Sequence, residues 1–202
     1  MEFLVLHNFI PPSLADQLEQ IFLYNDDLTW GYREETSGVM GDSNLPIKES
    51  FQYQHSLFSE QGVSPWFQYT NPLMLFAEKA LGFRTEKIER IKANTLFKDP
   101  DAVGKHHPPH MDSVEPNGYA MVYYVHDCDG DTIIFDKTWD SKNYNYDGYD
   151  LNEIGRIKPT KGSAVLFKSN RFHTSSSPTV ANRRVILNHV FTSKDNFLTK
   201  TT

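Results

Sequence analysis

Residues 105–112 read Lys105-His106-His107-Pro108-Pro109-His110-Met111-Asp112 and stand between two β-forming runs, Lys87 to Phe97 and Tyr119 to His126. Proline fixes its own backbone and disfavours helix for the residue before it, so this stretch is extended. In an extended chain, residues two apart point to the same side, which brings the His110 imidazole and the Asp112 carboxylate together. The stretch therefore predicts a connection between two strands that carries two metal ligands.

Short β-forming runs separated by turn signals continue from Thr85 onward, and this pattern predicts an antiparallel sandwich or barrel. The predicted strands are Lys87 to Phe97, Tyr119 to His126, Thr132 to Phe135, Ser163 to Phe167 and Arg184 to Phe191. The polar and aromatic stretch from Lys137 to Asp150 joins two of them and is typical of a lid or of a surface insertion.

Helical signals lie in the N-terminal part of the chain. A strand from Glu2 to Ile10 is followed by a predicted helix that Ser13 caps and that runs to about Tyr24. We expect a loop-rich stretch over Asn25 to Ser64, and then a second helix from Trp66 to Leu81 that Gly82 closes. The fold class is therefore α+β and mainly β, with N-terminal helices against one face of a β core.

Length and charge limit the organisation and the classes of partner. A chain of 202 residues predicts one domain over 1–202, with supporting elements in 1–84 and a β core in 85–195 that carries the candidate lid 137–150. The net charge of −6 argues against nucleic acid as the main partner. Cys128 is the sole cysteine, and neither a signal peptide nor a membrane-spanning stretch is visible, so we expect a soluble, cytoplasmic protein. The oligomeric state is left open.

A third metal ligand is expected at His173, after the predicted strand that ends at Phe167 and the turn-like pair Ser169-Asn170. Two histidines and one carboxylate with open coordination positions are the facial triad of non-haem iron oxygenases. Arg183 and Arg184 follow at the start of the last apolar strand. An arginine that points into a barrel requires an anion, and its planar fork matches a carboxylate.

With these motifs, the C-terminal half resembles the 2-oxoglutarate and Fe(II)-dependent dioxygenases, in particular the small prolyl-4-hydroxylase-like branch of bacteria and phages. The matching text is Ile91-Lys92-Ala93-Asn94, Pro109-His110-Met111-Asp112, Tyr123-Tyr124-Val125-His126, Asp129-Gly130-Asp131-Thr132, Lys161-Gly162-Ser163, and His173 through Pro178 to Asn188. The resemblance implies a double-stranded β-helix, of the jelly-roll or cupin type, buttressed by the N-terminal helices.

The resemblance also implies roles for single residues. His110, Asp112 and His173 would bind Fe(II), and Tyr124 with Arg184 would bind the distal carboxylate of 2-oxoglutarate. Arg183 is the alternative to Arg184, and the further co-substrate residues are Asn188 and Asn94. The implied reaction consumes O₂ and 2-oxoglutarate, allows a role for ascorbate, and releases succinate and CO₂. Its substrate would be a protein or peptide, including a prolyl residue, or a small molecule.

Two other functions fit parts of the pattern. A zinc-dependent hydrolase uses the same ligand types but leaves Tyr124 and Arg184 unexplained. A cupin-like module could bind metal or ligand without catalysis. His106 and His107 are alternatives to His110 if the register is shifted, whereas His189 is expected to form part of a wall. The aspartates around Gly130 lack the terminal glutamate of a calcium loop, so we interpret them as a turn.

Overall fold

The computed structural model describes residues 1–34, 51–139 and 150–199. Eleven strands and two α-helices occur there, together with short 3-10 helices over Pro100–Ala102 and Phe197–Thr199. In chain order they are β1 (Phe3–Leu6), α1 (Pro12–Tyr24), β2 (Gly31–Arg33), β3 (Gln52–Ser59), β4 (Gly62–Val63), α2 (Phe67–Leu81), β5 (Lys87–Phe97), β6 (Gly118–Tyr124), β7 (Thr132–Thr138), β8 (Glu153–Ile157), β9 (Ala164–Lys168), β10 (Arg171–Ser175) and β11 (Arg183–Thr192).

The strands form two antiparallel sheets. The major sheet has the order β1-β9-β6-β11-β5-β3-β2, and β4 pairs with β3; the minor sheet has the order β10-β7-β8. Side chains of β6, β9 and β11 meet Ile134 of β7 in an apolar cluster between the sheets. Both helices pack on the other face of the major sheet, where Leu18 and Leu73 join the largest cluster of buried apolar residues. This is the predicted β core buttressed by helices on one face, and the fold class is confirmed.

The N-terminal prediction is confirmed for its elements, but the strand predicted over Glu2 to Ile10 covers only Phe3–Leu6, and the start and cap of the helix differ from the prediction. Helix α1 ends at Tyr24 as expected, but it begins at Pro12 with Pro11 in the cap position, and no side chain caps it. Proline suits the first helical turn because that turn leaves its backbone N–H groups without intrahelical partners, so Pro12 starts the helix and Ser13 lies inside it. Helix α2 is capped by Gly82, which adopts φ 62°.

The loop predicted over Asn25 to Ser64 was wrong for 31–33, 52–59 and 62–63, which form β2, β3 and β4. Strand β3 pairs with β5 and extends the major sheet, so 1–84 contributes strands to the β core as well as helices. Its sequence was difficult to identify as a strand because Gln52 lines a polar pocket instead of an apolar core. Hydrophobic alternation, the main sequence signal of a strand, is weak at such a site.

All five strands predicted after Thr85 are present, and Lys87–Phe97 has the predicted bounds. Strands β8 and β10 were missed. Strand β8 is a mostly exposed edge strand, and β10 carries the polar residues His173, Thr174 and Ser175 into the pocket. The single-domain organisation stays a prediction.

The candidate lid over 137–150 falls largely outside the described residues, since 140–149 are not described. Its first two residues, Lys137 and Thr138, belong to β7. Among the residues described, no helix has the length and apolar character needed to cross a membrane.

Candidate active site

The two predicted histidine ligands are held side by side by the backbone. His110 donates its N–H to the carbonyl of His173, and His173 donates to the carbonyl of His110, both at 2.9 Å. This reciprocal pair ties the connection after Pro109 to β10 and places the two imidazole centroids 4.4 Å apart. The extended conformation predicted for this connection is therefore the one observed.

Asp112 completes the cluster from the same connection. The backbone N–H of Asp112 donates to the carbonyl of Ser169 at 2.8 Å, and its Oδ2 lies 3.5 Å from Nε2 of His173. One potential ligand atom each from His110, Asp112 and His173 lie within 4.8 Å of one another. The structure thus brings together all three residues predicted from the sequence, with the carboxylate and His173 buried.

Each imidazole has its second nitrogen engaged with a backbone carbonyl. Nδ1 of His173 lies 3.0 Å from the carbonyl of Arg171, and Nδ1 of His110 lies 3.4 Å from that of Pro108. Burial, together with the charge of His173, lowers the pKa of His110 to about 3, and burial lowers the pKa of His173 as well. Neutral imidazoles that donate through Nδ1 leave Nε2 as a lone-pair donor, the state that metal binding requires.

Two residues hold the Asp112 carboxylate: Arg90, which the sequence did not single out, and Asn188, which was expected to contact the co-substrate. Arg90 donates Nη1 to the Asp112 carbonyl at 2.9 Å and Nη2 to Oδ1, while Asn188 donates Nδ2 to Oδ2 at 3.0 Å. Burial raises the pKa of Asp112, but Arg90 and the neighbouring histidines outweigh it and hold the pKa well below its usual range. Asp112 is therefore ionised. Arg90 could have been found only from the pairing of β5 with its neighbours.

A pocket lined by residues of both sheets extends from this cluster. Residues two apart on β5 and on β11 line it: Lys92, Asn94 and Leu96 on one strand, and Arg184, Ile186 and Asn188 on the other. The register pairs Asn188 with Lys92 and Arg184 with Leu96. Because each strand residue adds about 3.3 Å, Arg184 lies roughly 13 Å from Asn188 along β11.

Arg184 is buried at the end of the pocket that lies away from Asp112. Its Nε donates to the carbonyl of Gly130 at 2.8 Å, and Nη2 donates to Oγ1 of Thr132 at 2.7 Å. Within the described residues it has no carboxylate partner and its Nη1 has no hydrogen bond, because Asp131 pairs with Arg156 instead. A buried, unpaired guanidinium is costly and calls for an anionic ligand.

Tyr124 of β6 pairs with Ile186 of β11, and its side chain lies between the two sheets near Arg184. Its buried hydroxyl lies beside Thr132, whose Oγ1 also accepts from Arg184, and it has no acidic partner within the part of the chain that is described. Burial, opposed by the charge of Arg184, raises the pKa of Tyr124 to about 12, so the phenol is protonated. It can donate to a carboxylate that reaches Arg184.

The structure separates the two candidate arginines. Neighbouring residues of a strand point to opposite faces, and Arg184 lines the pocket while Arg183 is half-buried and lies near the hydroxyl of Tyr24. Asn94 also lines the pocket and donates Nδ2 to Oε1 of Gln52 at 2.7 Å. Asn188 lines it too, but its contact is with Asp112 at the metal end.

The other candidate histidines lie outside the cluster. His107 is buried with its Nε2 3.0 Å from Oγ of Ser177, and burial lowers its pKa to about 4. His106 packs against the ring of Phe135. His189 is fully buried on the helix-facing side of β11 and does not line the pocket, so it is not the wall residue of the site that was expected.

The loop around Gly130 forms hydrogen bonds that the sequence did not reveal. Asp129 accepts from the backbone of Thr179, Val180 and Ala181 and from the Thr179 hydroxyl, all at 2.8–2.9 Å. These bonds anchor the segment that enters β11 just before Arg184. The predicted turn is present, and its role is to hold this segment.

A divalent metal fits the donor set of His110, Asp112 and His173. Two neutral imidazoles and one ionised carboxylate converge on one point, and their other polar atoms are bonded to backbone carbonyls, Arg90 and Asn188. Such a set with open positions is the facial triad of non-haem iron sites. The Arg184 guanidinium and Tyr124 hydroxyl, both without acidic partners, suit a carboxylate ligand in the same pocket.

The two facing antiparallel sheets with a His-Asp-His cluster between them define the class of fold, a double-stranded β-helix. Comparison with known structures identifies proteins of this fold over almost the whole chain. An oxidoreductase of the 2OG-Fe(II) oxygenase family from Burkholderia pseudomallei has a TM-score of 0.60 and 14% identity over 95% of this chain and 85% of its own. A Pseudomonas putida prolyl-4-hydroxylase has a TM-score of 0.54 and 16% identity over 96% and 94%.

HygX from Streptomyces hygroscopicus, whose structure has nickel and 2-oxoglutarate bound, has a TM-score of 0.56 and 9% identity over 96% of this chain and 83% of its own. Neither family models nor curated proteins match the sequence. The chain therefore has the fold of the 2-oxoglutarate and Fe(II)-dependent oxygenases, and the resemblance inferred from its motifs is confirmed at the level of the fold.

Proposed function

We propose that this protein is a 2-oxoglutarate- and O₂-dependent hydroxylase that uses Fe(II) bound by His110, Asp112 and His173. The observation that carries the proposal is one pocket with a three-ligand cluster at one end and an unpaired, buried Arg184 at the other. A linear dicarboxylate meets both ends of such a pocket. A hydrolase with a metal-bound water would have no use for the second end.

Each residue has a defined task in this proposal. His110 and His173 bind the metal through Nε2, and Arg90 and Asn188 hold the Asp112 carboxylate in its ligating position. Arg184 binds the distal carboxylate of 2-oxoglutarate, with Tyr124 donating its hydroxyl. When bound, iron would supply O₂ activation and C–H oxidation coupled to the release of succinate and CO₂. Asn94 borders the same space.

For the substrate, we propose a class of compound. The structural neighbours include a prolyl-4-hydroxylase. On this basis the proposed reaction is hydroxylation of a C–H bond in a peptide, prolyl residues included, or in a small molecule. O₂ is required by the reaction, and ascorbate would keep the iron reduced between turnovers. We expect no nucleic acid partner.

The test is succinate formation by protein loaded anaerobically with Fe(II) and then given 2-oxoglutarate and O₂. We expect succinate from the iron-loaded protein and none from the zinc-loaded protein. Arg184→Met should raise the 2-oxoglutarate concentration for half-maximal turnover at least about tenfold, since a charge-assisted hydrogen bond contributes about 1.5–3 kcal/mol. Arg183→Met is the matched control and should leave it nearly unchanged.

Intact iron binding without either succinate formation or binding of 2-oxoglutarate would contradict the oxygenase and favour a non-catalytic metal-binding module. Hydrolytic activity that depends on zinc would favour the hydrolase. A larger effect of Arg183→Met than of Arg184→Met would reassign the co-substrate arginine.

A further inference from the structure

Lys92 is a pocket residue that the proposed reaction leaves without a task. It lies on β5 opposite Asn188, whose amide holds Asp112, so it belongs to the metal end of the pocket. It lines the pocket together with His110, Asp112 and His173. Lys92 is partly buried, and within the described residues its ammonium group has neither an ion pair nor a hydrogen bond.

The charges around Lys92 are mostly positive. Among the residues that the structure describes, Asp112 is the only acidic one that lines the pocket, and Arg90 already binds both its carboxylate and its carbonyl. Burial and the charge of Arg90 together lower the pKa of Lys92 to about 8, although the charge of Asp112 opposes this shift. The ammonium form therefore predominates at neutral pH and remains without a counter-charge.

2-Oxoglutarate does not account for this charge. Of its two carboxylates, the distal one is assigned to Arg184 and the other would be held at the metal bound by His110, Asp112 and His173, so each would already have a cation. The backbones of Arg184 and Lys92 stand roughly 13 Å apart along the strands, at opposite ends of the pocket, so the carboxylate assigned to Arg184 leaves Lys92 to another group. An unpaired cation beside the metal is in the place where a second molecule would approach the reacting centre.

We propose that Lys92 binds a carboxylate of the primary substrate, so that the enzyme oxidises a carboxylate-bearing molecule held with its reacting carbon near the metal. This inference rests on the proposed function. The carboxylate could belong to a free amino acid or to the C-terminus of a peptide. In either case Lys92 orients the substrate by a charge-assisted hydrogen bond, and the neutral amide of the same compound lacks the matching charge.

The test uses nickel-loaded protein saturated with 2-oxoglutarate, so that binding is measured without turnover. Ligand-observed NMR and calorimetry follow the common free amino acids and their amides, together with N-acetylated dipeptides that end in a carboxylate or an amide. We expect the wild type to bind at least one of these acids and to bind the corresponding amide at least about tenfold more weakly. Lys92→Met should lower the affinity for that acid by the same factor. If only free amino acids bind, the carboxylate belongs to a free amino acid. If the dipeptide acids bind as well, the C-terminus of a peptide is accepted.

Two controls accompany the variant. Lys87→Met removes an exposed lysine from the first residue of the same strand, where it pairs with Glu60 at 3.6 Å, and should not change the binding of the acid. Lys92→Met must retain wild-type affinity for 2-oxoglutarate, which also shows that the pocket is folded.

The proposal is overturned if no acid in the panel binds, if amides bind as tightly as acids, or if Lys92→Met binds the acid like the wild type. It is also overturned if Lys92→Met weakens 2-oxoglutarate as much as Arg184→Met does, since Lys92 would then serve the co-substrate. Failure of the nickel-loaded wild type to bind 2-oxoglutarate is a separate result, and it would remove the proposed function itself.

Discussion

The geometry of the His-Asp-His cluster depends on how two histidines from different parts of the chain meet. His110 and His173 exchange two backbone hydrogen bonds, so their imidazoles are positioned before any metal arrives. The cluster lies in the pocket and outside the large apolar core beneath the helices. Replacing its members therefore affects metal binding more than folding.

We expect His173→Ala and Asp112→Ala to abolish nickel and iron binding, because a site with two remaining ligands cannot compete with water for the metal. Calorimetric titration measures the loss, and circular dichroism should show an unchanged fold. His106→Ala is the control, since His106 packs on Phe135 outside the cluster and should retain full affinity. Wild-type affinity in His173→Ala would mean that the cluster is not the metal site.

Gly130 controls the position of Arg184 at the scale of single atoms. A Cβ at this position would lie 2.8 Å from the Ser176 carbonyl and 2.9 Å from Cδ of Arg184. The carbonyl of Gly130 also accepts from Nε of Arg184. We expect Gly130→Ala to displace the guanidinium and weaken 2-oxoglutarate binding roughly tenfold, as a shifted charge-assisted bond would.

The measurement is 2-oxoglutarate affinity of the nickel-loaded protein, with metal affinity as an internal reference. Gly31→Ala is the matched control, because its added Cβ would meet only the Gln54 carbonyl at an ordinary 3.5 Å. Equal effects of the two substitutions would show that Gly130 has no special role.

Single residues were predicted from the sequence where local geometry carried the information. His110 and Asp112 converge because of extended chain after Pro109, which is local. Arg184 was separated from Arg183 by the alternation of one strand. Arg90 and Lys92 were missed because their role depends on the pairing of β5 with β11 and on what lies across the pocket, which no local pattern reports.

At the scale of elements, the segment that enters β11 is anchored by Asp129 through four hydrogen bonds. Burial raises the pKa of Asp129, but the donors of Ala181, Thr179 and Val180 outweigh it and hold the pKa below its usual range. We expect Asp129→Ala to lower the free energy of unfolding by about 1–3 kcal/mol at pH 7, as measured by chemical denaturation.

The stabilisation by Asp129 has a predictable dependence on pH. Because its pKa is lower in the folded chain than in the unfolded chain, the contribution is complete above about pH 4 and is lost as the pH falls below that value. The difference between wild type and Asp129→Ala should therefore shrink in acid. Asp101→Ala, which removes an exposed carboxylate that accepts none of these bonds, is the matched control for the loss of stability. A difference that persists unchanged to pH 2 would contradict the ionic origin.

Elements were predictable where one face is apolar. Helix α2, with Gly82 at its end, and strand β5 follow strong periodic patterns, and both were placed within one residue. Strands β3 and β10 were missed because their inward faces carry Gln52, His173 and Ser175 into the pocket. The polarity that makes these strands useful for binding removes the hydrophobic signal by which a strand is identified.

At the scale of the whole molecule, both sheets build the pocket. Thr132 and His173 line it from the minor sheet, and β5 and β11 line it from the major sheet. A ligand that spans it should stabilise the complete fold. We expect nickel with 2-oxoglutarate, at about one hundred times its dissociation constant, to add roughly 2.7 kcal/mol, or several degrees in Tm.

Differential scanning fluorimetry checks this shift, with chelated protein as the reference. Arg184→Met should keep the increment due to nickel and lose most of the increment due to 2-oxoglutarate. A shift of the same size from 2-oxoglutarate in Arg184→Met would place the co-substrate elsewhere.

The alternation along β5 has a consequence for how this protein can evolve. Lys92, Asn94 and Leu96 face the pocket, while Ile91 and Ala93 pack beneath the helices. A point substitution at Lys92 or Asn94 changes what the pocket accepts and leaves the core untouched. Deletion of a single residue in β5 would exchange the two faces, burying an ammonium group beneath the helices and filling the pocket with isoleucine. Substitutions at the pocket-facing positions of β5 can therefore change the substrate preference without unfolding the protein. Insertions or deletions within that strand would disrupt both the pocket and the core.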